Sequence, residues 1–156
     1  MVYCGNGVLA SGGYIYAVNN VGQVLQVDTT RNNYYTWIGD QIYSGSGRGR
    51  TWGDPIVGID KCIYWPPLNA NRVLKFDPET QQLPSLVGDD LGEEGYKWQG
   101  GALSTIKKII NYYTCTKLFT FRIKRLDVSW DGNTRENFED DVWFQHESVC
   151  KCFRTF

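Results

Sequence analysis

A pattern of about 48 residues occurs twice in the first two thirds of this chain and a third time in altered form. The clearer copy runs Gly53-Asp54-Pro55-Ile56-Val57, Cys62-Ile63-Tyr64-Trp65-Pro66, Val73-Leu74-Lys75-Phe76-Asp77 and Val87-Gly88-Asp89. Upstream stand Val8-Leu9, Tyr14-Ile15-Tyr16, Val24-Leu25-Gln26-Val27-Asp28 and Ile38-Gly39-Asp40. Tyr16 to Tyr64 spans 48 positions, Asp28 to Asp77 and Gly39 to Gly88 each 49, Trp52 to Trp98 46, and Asp77 to Asp127 50. A fixed period means that one supersecondary unit is being stacked, which sets the fold before any site is considered. The length is too great for leucine-rich or ankyrin repeats. It suits a four-stranded propeller blade of ~40–50 residues or a HEAT-type helical pair, and only the local pattern separates these two.

That pattern is a strand pattern. In the second copy, residues 55 to 59 form a short apolar run, Asp60-Lys61 a turn, and Cys62 to Trp65 a return strand ended by Pro66-Pro67, which cannot donate to a ladder. Leu68 to Asn71 is a loop of turn formers. Arg72 to Phe76 alternates as a third strand. Asp77-Pro78-Glu79-Thr80 has the residues of a type I turn, and Leu83 to Val87, interrupted by Pro84, reads as a fourth, edge strand. The first copy pairs Val8-Leu9-Ala10 with Tyr14 to Val18 across Gly12-Gly13, followed by strands at Val24 to Asp28 and Tyr34 to Ile38. The segment Ser44 to Arg50, rich in Gly and Ser, reads as a flexible connection. The third copy opens well at Lys97 to Ser104 and recovers its third strand at Phe119 to Ile123. Between them, Thr105 to Lys108 lacks turn residues and Ile109 to Tyr113 replaces the strand-then-proline pattern. Val142-Trp143-Phe144 is a candidate last strand. The repeats are thus expected over 1–127 (about 1–48, 49–96 and 97–127), with a divergent segment over 128–156.

Composition agrees with strands. Aromatics make up 15% of the 156 residues and there are 17 glycines, a mixture that favours sheets and turns. A formal net charge of −1 gives no general attraction to nucleic acid or to an anionic membrane. No apolar run approaches the ~20 residues of a membrane span, and the first residues lack the basic and apolar parts of a secretion signal. A cytoplasmic setting with reduced thiols is the expectation. The five cysteines (Cys4, Cys62, Cys115, Cys150, Cys152) are odd in number, and Cys62 reads as a small buried apolar residue.

Four segments together carry a resemblance: Lys97-Trp98-Gln99-Gly100-Gly101; Ile63-Tyr64 followed by Pro66; Asn71-Arg72-Val73-Leu74-Lys75-Phe76-Asp77-Pro78-Glu79-Thr80; and Gly88-Asp89-Asp90-Leu91-Gly92. They resemble a Kelch-like β-propeller repeat of uncharacterised proteins from unicellular eukaryotes, over roughly residues 1–127. Asp-Pro-Glu-Thr after an alternating strand is also similar to ordinary Kelch and lactonase-type propellers. The double glycine that ordinary Kelch units place after the second strand is replaced here by Asn19-Asn20 and by Pro66-Pro67. The resemblance implies a propeller architecture and says little of activity, since propellers host both binding proteins and enzymes.

Several residues have side chains suited to chemistry. Asp28, Asp77 and Asp127 recur in phase and read as turn caps rather than as acids around a channel. Trp52 and Trp98, also in phase, either pack between units or line a ligand mouth, with packing the stronger reading. Asp54 and Gln99 follow them at the start of the innermost strand, so Trp52, Asp54, Trp98 and Gln99 are the candidate binding positions if a ligand enters the ring. Gly88 to Glu94 is acidic but lacks the ordered spacing of a calcium loop. His146, Cys150 and Cys152 fall short of a zinc set. The Gly-rich Ser44 to Arg50 lacks the ending of a phosphate-binding loop. The basic run from Lys107 to Arg125 is followed at once by acidic residues, which argues against a nucleic-acid face. No catalytic residue, metal ligand or cofactor is assigned.

The expectation is an all-β chain of about three four-stranded antiparallel propeller-type blades, a partial or open propeller. Its expected role is a non-enzymatic module whose loops present a protein- or ligand-binding surface, with association between copies as a way to complete the ring. The first alternative is a lactonase-like hydrolase or lyase with a metal at the central channel. The second is a piece of a longer propeller with no independent function.

Overall fold

The computed structural model describes residues 4–32, 34–42, 49–93, 95–104, 109–113, 118–122 and 145–147. Among them there is no α-helix, and twelve strands form three four-stranded antiparallel sheets. The first sheet runs β1 (Val8–Leu9), β2 (Tyr14–Val18), β3 (Val24–Asp28), β4 (Tyr35–Ile38). The second runs β5 (Ile56–Val57), β6 (Ile63–Trp65), β7 (Val73–Phe76), β8 (Ser85–Val87). The third runs β9 (Gly100–Ser104), β10 (Ile109–Tyr113), β11 (Leu118–Arg122), β12 (Gln145–Glu147). In each sheet the spatial order is the chain order, as expected when short turns join consecutive strands. No helix among the described residues is long and apolar enough to cross a membrane.

The repeat holds at the level of register. Leu9 faces Ile15 in the first sheet, Val57 faces Ile63 in the second and Leu103 faces Ile110 in the third. Leu25 lies between Ala17 and Trp37 as Leu74 lies between Trp65 and Leu86. Gly39 and Gly88, one period apart, both hold φ near 85°, at 85° and 84°. The segment Ile109–Tyr113, whose sequence departs from the earlier copies, still forms β10. β-Branched and aromatic content suffices for a strand without the proline stop. The fourth strand of the third sheet comes from Gln145–Glu147, inside the segment without a match in the earlier copies. The candidate strand at Val142 to Phe144 lies outside the described residues.

The hairpin turns show how unlike sequences reach one geometry. Ala10 N donates to Tyr14 O at 3.0 Å, and 48 residues later Gly58 N donates to Cys62 O at 2.8 Å. In the first turn Gly12 and Gly13 are both left-handed (φ 81° and 78°), and in the second Lys61 is (φ 65°). A turn followed by a left-handed residue matches the twist of the flanking strands. After the third strands, Asp28 Oδ1 accepts from Thr30 N at 2.8 Å and Thr30 Oγ1 at 2.6 Å. Asp77 Oδ1 accepts from Glu79 N at 2.9 Å and Thr80 N at 3.3 Å. Both aspartates cap turns, as read from the sequence; Asp127 lies outside the described residues. The hydroxyl and amide of Thr30, with Arg31 nearby, lower the Asp28 pKa. A lowered pKa in the folded state means that this contribution is present at neutral pH and fades on acidification. The Asp77 turn is longer than the type I turn expected. Gln81 N closes it on Asp77 O at 3.0 Å, with Gln81 held left-handed at φ 52°.

Period-two alternation gives each inner strand two apolar faces, and the sheets stack on them. Ile63 and Trp65 point one way, into a cluster with Tyr16, Val18 and Val24 of the first sheet and with Leu74, Phe76 and Trp52. Cys62 and Tyr64 point the other way, into a cluster with Ile56, Val73 and Trp98, against which Leu103 of the third sheet packs. The second sheet is therefore covered on both faces, which is why its strands read as near-continuous apolar runs. The packing is front to back: the face carrying Val57, Ile63 and Leu74 meets the opposite face of the preceding sheet.

Gln81 is exposed and its left-handed backbone costs an L-residue about 1–2 kcal/mol. Gln81→Gly is expected to raise the stability to urea by about 0.5–1 kcal/mol, the strain relief less the added freedom of the unfolded chain. The denaturation midpoint measures this, and an unchanged or lower midpoint would show that the turn is not strained.

Candidate functional site

The segments that lead into the first strands are built alike. Gly5 N donates to Val18 O at 3.0 Å, and Gly53 N to Pro66 O at 2.7 Å. Cys4 bridges Asn19, and Trp52 bridges Pro67, so each first strand is extended backward past the end of its partner. Pro66 and Pro67 have no N–H, yet both carbonyls work: Pro66 O receives Gly53 N and Pro67 O receives Trp98 N at 3.1 Å. Prolines serve in a ladder where only acceptors are required.

These entries converge. Asp54 N donates to Gln99 O at 2.8 Å, so the entry to the third sheet lies directly on the entry to the second. A Cβ on Gly53 would come within 2.4 Å of Gln99 O and 2.9 Å of Trp98 O, which explains why the position has no side chain. On the other side, Asp54 Oδ1 accepts from Asn6 Nδ2 at 2.9 Å and from Arg50 Nη2 at 2.6 Å. Asn6 and Asp54 are equivalent positions, 48 apart, so the repeat itself brings them side by side. The Arg50 and Asp54 side chains are 35% and 38% exposed, and an ion pair so placed contributes only ~0–1 kcal/mol to stability. Its value lies in fixing a guanidinium and a carboxylate at one end of the sheets.

Arg50 also borders a cleft lined by Gly5, Val18, Asn19, Asn20, Thr51 and Trp52, whose internal space of about 10 Å³ has room for about one water. That is below the ~300–1,000 Å³ of a drug-sized pocket. Most polar groups around it are satisfied. Asn19 Oδ1 accepts from Val21 N and Gln23 N at 3.0 and 2.9 Å, and Thr51 Oγ1 donates to Asn20 O at 2.6 Å. Arg50 Nε is buried with no acceptor among the described residues. The arrangement sets an unspent guanidinium N–H at a water-sized space, beside an oriented carboxylate.

The four residues singled out from the sequence divide into two pairs. Trp52 and Trp98 are each 2% exposed and belong to the two inter-sheet cores. Trp52 Nε1 spends its proton on Arg72 O at 3.2 Å. Asp54 and Gln99 do meet, through backbone, at the convergence of the entries. Asn6 and Arg50 went unassigned from the sequence. Asn6 is legible as the residue one period upstream of Asp54, while the Gly- and Ser-rich context of Arg50 reads as a flexible connection. In the acidic loop, Asp90 accepts from Asn71 Nδ2 and Gly92 N, both at 2.8 Å. Among the described residues no group of three or more His, Cys, Asp and Glu is placed to hold a metal ion. Cys150, Cys152 and most of the basic run lie outside the described residues.

Compared with known proteins, the chain matches no family model, no curated protein and no solved structure.

Backbone atoms cannot retreat as a side-chain tip can. Gly53→Ala is therefore expected to cost about 1–3 kcal/mol, the usual cost of overpacking, and to lower the melting temperature by several degrees. Gly5→Ala, which meets the Arg50 side chain at 3.2 Å, should cost less. Equal melting temperatures for the two variants would remove the distinction.

Burial, reinforced by the charge of Asp60, pushes the Cys62 thiol up to about 12. The thiolate is the reactive form, so at pH 8 a maleimide should modify exposed Cys4 and leave Cys62 untouched until denaturant is added. Peptide mapping reads this directly, and rapid labelling of Cys62 in the native protein would contradict its placement.

Proposed function

We propose that the chain is a propeller-type repeat module that works by binding, with its recognition surface at the end of the sheets where the strand entries converge. One observation carries the reading. Like sheets stack front to back, and their entry segments bring Asn6, Arg50, Asp54 and the exposed Gln99 together from three successive units. Repeats of this kind hold a rigid frame while the residues at one end vary freely, which is how a stacked scaffold acquires a binding face. The Kelch-like likeness of the sequence points the same way. The paired Arg50 and Asp54, each about a third exposed, suit a polar ligand, such as a side chain or terminus of a protein partner or a small molecule with an acceptor group.

A ligand that binds only the folded chain raises its melting temperature. Screening the full chain by thermal shift against peptides and small polar compounds should yield ligands whose shift is reduced at least fivefold in Arg50→Ala and in Asp54→Asn, with the far-ultraviolet spectra unchanged. Ligands that ignore both substitutions would overturn the proposed surface. Metal-dependent hydrolysis of a lactone would replace the binding reading with an enzymatic one.

A further inference from the structure

One row of positions is covered in two sheets and bare in the other. Val57 packs into the cluster shared with the first sheet. Leu103, its counterpart in the third sheet, packs into the cluster shared with the second. Leu9, their counterpart in the first sheet, is 63% exposed. The contrast extends across the face. Register places Leu9, Ile15, Val27 and Tyr35 in one row, and Ala17, Leu25 and Trp37 in the next. In the second sheet the matching rows are Val57, Ile63 and Phe76, and Trp65, Leu74 and Leu86. Ile63 and Leu74 are fully buried there, whereas Ile15 is 38%, Trp37 40% and Tyr35 62% exposed. A contiguous face bearing Leu, Ile, Tyr and Trp marks an interaction surface in a folded protein.

The molecule itself shows what fits such a face. Twice it is covered by the opposite face of a like sheet, and the chain carries a further face of that kind. Val8 and Ile56, on the rear of the first two sheets, pack into the inter-sheet clusters, but Ala102 at the same position of the third sheet is exposed. We infer that the front of the first sheet docks on the rear of the third sheet of a second copy of this chain, and that two copies close reciprocally. The contact repeats the internal one, front to back. Two copies related by a twofold axis make two such contacts and enclose six sheets, within the ~4–8 units of closed propellers. The aromatic anchors Tyr35 and Trp37 supply the residue types that dominate interface energetics. This inference rests on the propeller-type reading above.

Sedimentation velocity of the full chain over 1–100 μM tests it. A discrete dimer is expected for the wild type, and a dissociation constant weakened at least tenfold is expected for Leu9→Asp and for Trp37→Glu. Both sites are exposed, so an unchanged circular dichroism spectrum accompanies either substitution. Mixing a Leu9→Cys chain with an Ala102→Cys chain should give a thiol cross-link between positions 9 and 102, mapped by mass spectrometry. A wild-type monomer throughout the range, open-ended growth with concentration, or cross-linking of position 9 to itself would each overturn the inference. A monomer whose ligand shift still depends on Arg50 and Asp54 would sink the docking and leave the binding module standing. A dimer with the expected cross-link but no such ligand would do the reverse.

Discussion

Burial of aromatic side chains between unlike faces of successive sheets is the interaction on which the rest depends. Tyr16 of the first sheet lies against Phe76 of the second, ring centres 5.5 Å apart and tilted by 48°, a geometry that aromatic pairs favour. Its hydroxyl does not go unpaired, because Gln26 Nε2 donates to it at 3.0 Å inside the same core. A small sheet with one bare face is marginal in water. Each sheet gains a partner only through its neighbour, and the middle one spends both faces. The turns, the entry segments and the cleft are placed by this stacking, since they arise where one sheet hands the chain to the next.

Much of that frame was legible in the sequence, and the reasons are local. Strands β2 and β3 follow the alternation of Tyr14 to Val18 and of Val24 to Asp28, and the two Asp turns follow from carboxylates that accept neighbouring amides. Other features depend on long-range contacts that no local pattern encodes. On paper the in-phase tryptophans favour packing but still allow ligand stacking, and their burial decides between the two. Pro66 and Pro67 look like terminators because they lack donors, but Gly53 and Trp98 need nothing from them except carbonyl oxygens. Strand β12 could not be found by matching copies, because its residues resemble neither earlier fourth strand.

The site was half visible for a related reason. Asp54 and Gln99 stood out through position in the repeat. Arg50 did not, since a Gly- and Ser-rich context suggests a loose connection and hides a side chain that the fold pins against Gly5 and Asp54. Sequence context reports on backbone freedom, whereas the role of Arg50 comes from what lies 45 residues upstream and four residues downstream of it.

The loop from Leu68 to Arg72 carries a consequence for how the chain comes apart. The Thr51 carbonyl receives the amides of Leu68, Asn69 and Ala70, while Lys97 N and Nζ hold Leu68 O and Ala70 O from the opposite side. The loop is thus a clasp fastened by the strand entering its own sheet and by the strand entering the next. Stacked repeats joined only by neighbour contacts can peel from an end. Here, releasing the last sheet also unfastens the clasp of the middle one, so heat or force meets a chain whose units let go together.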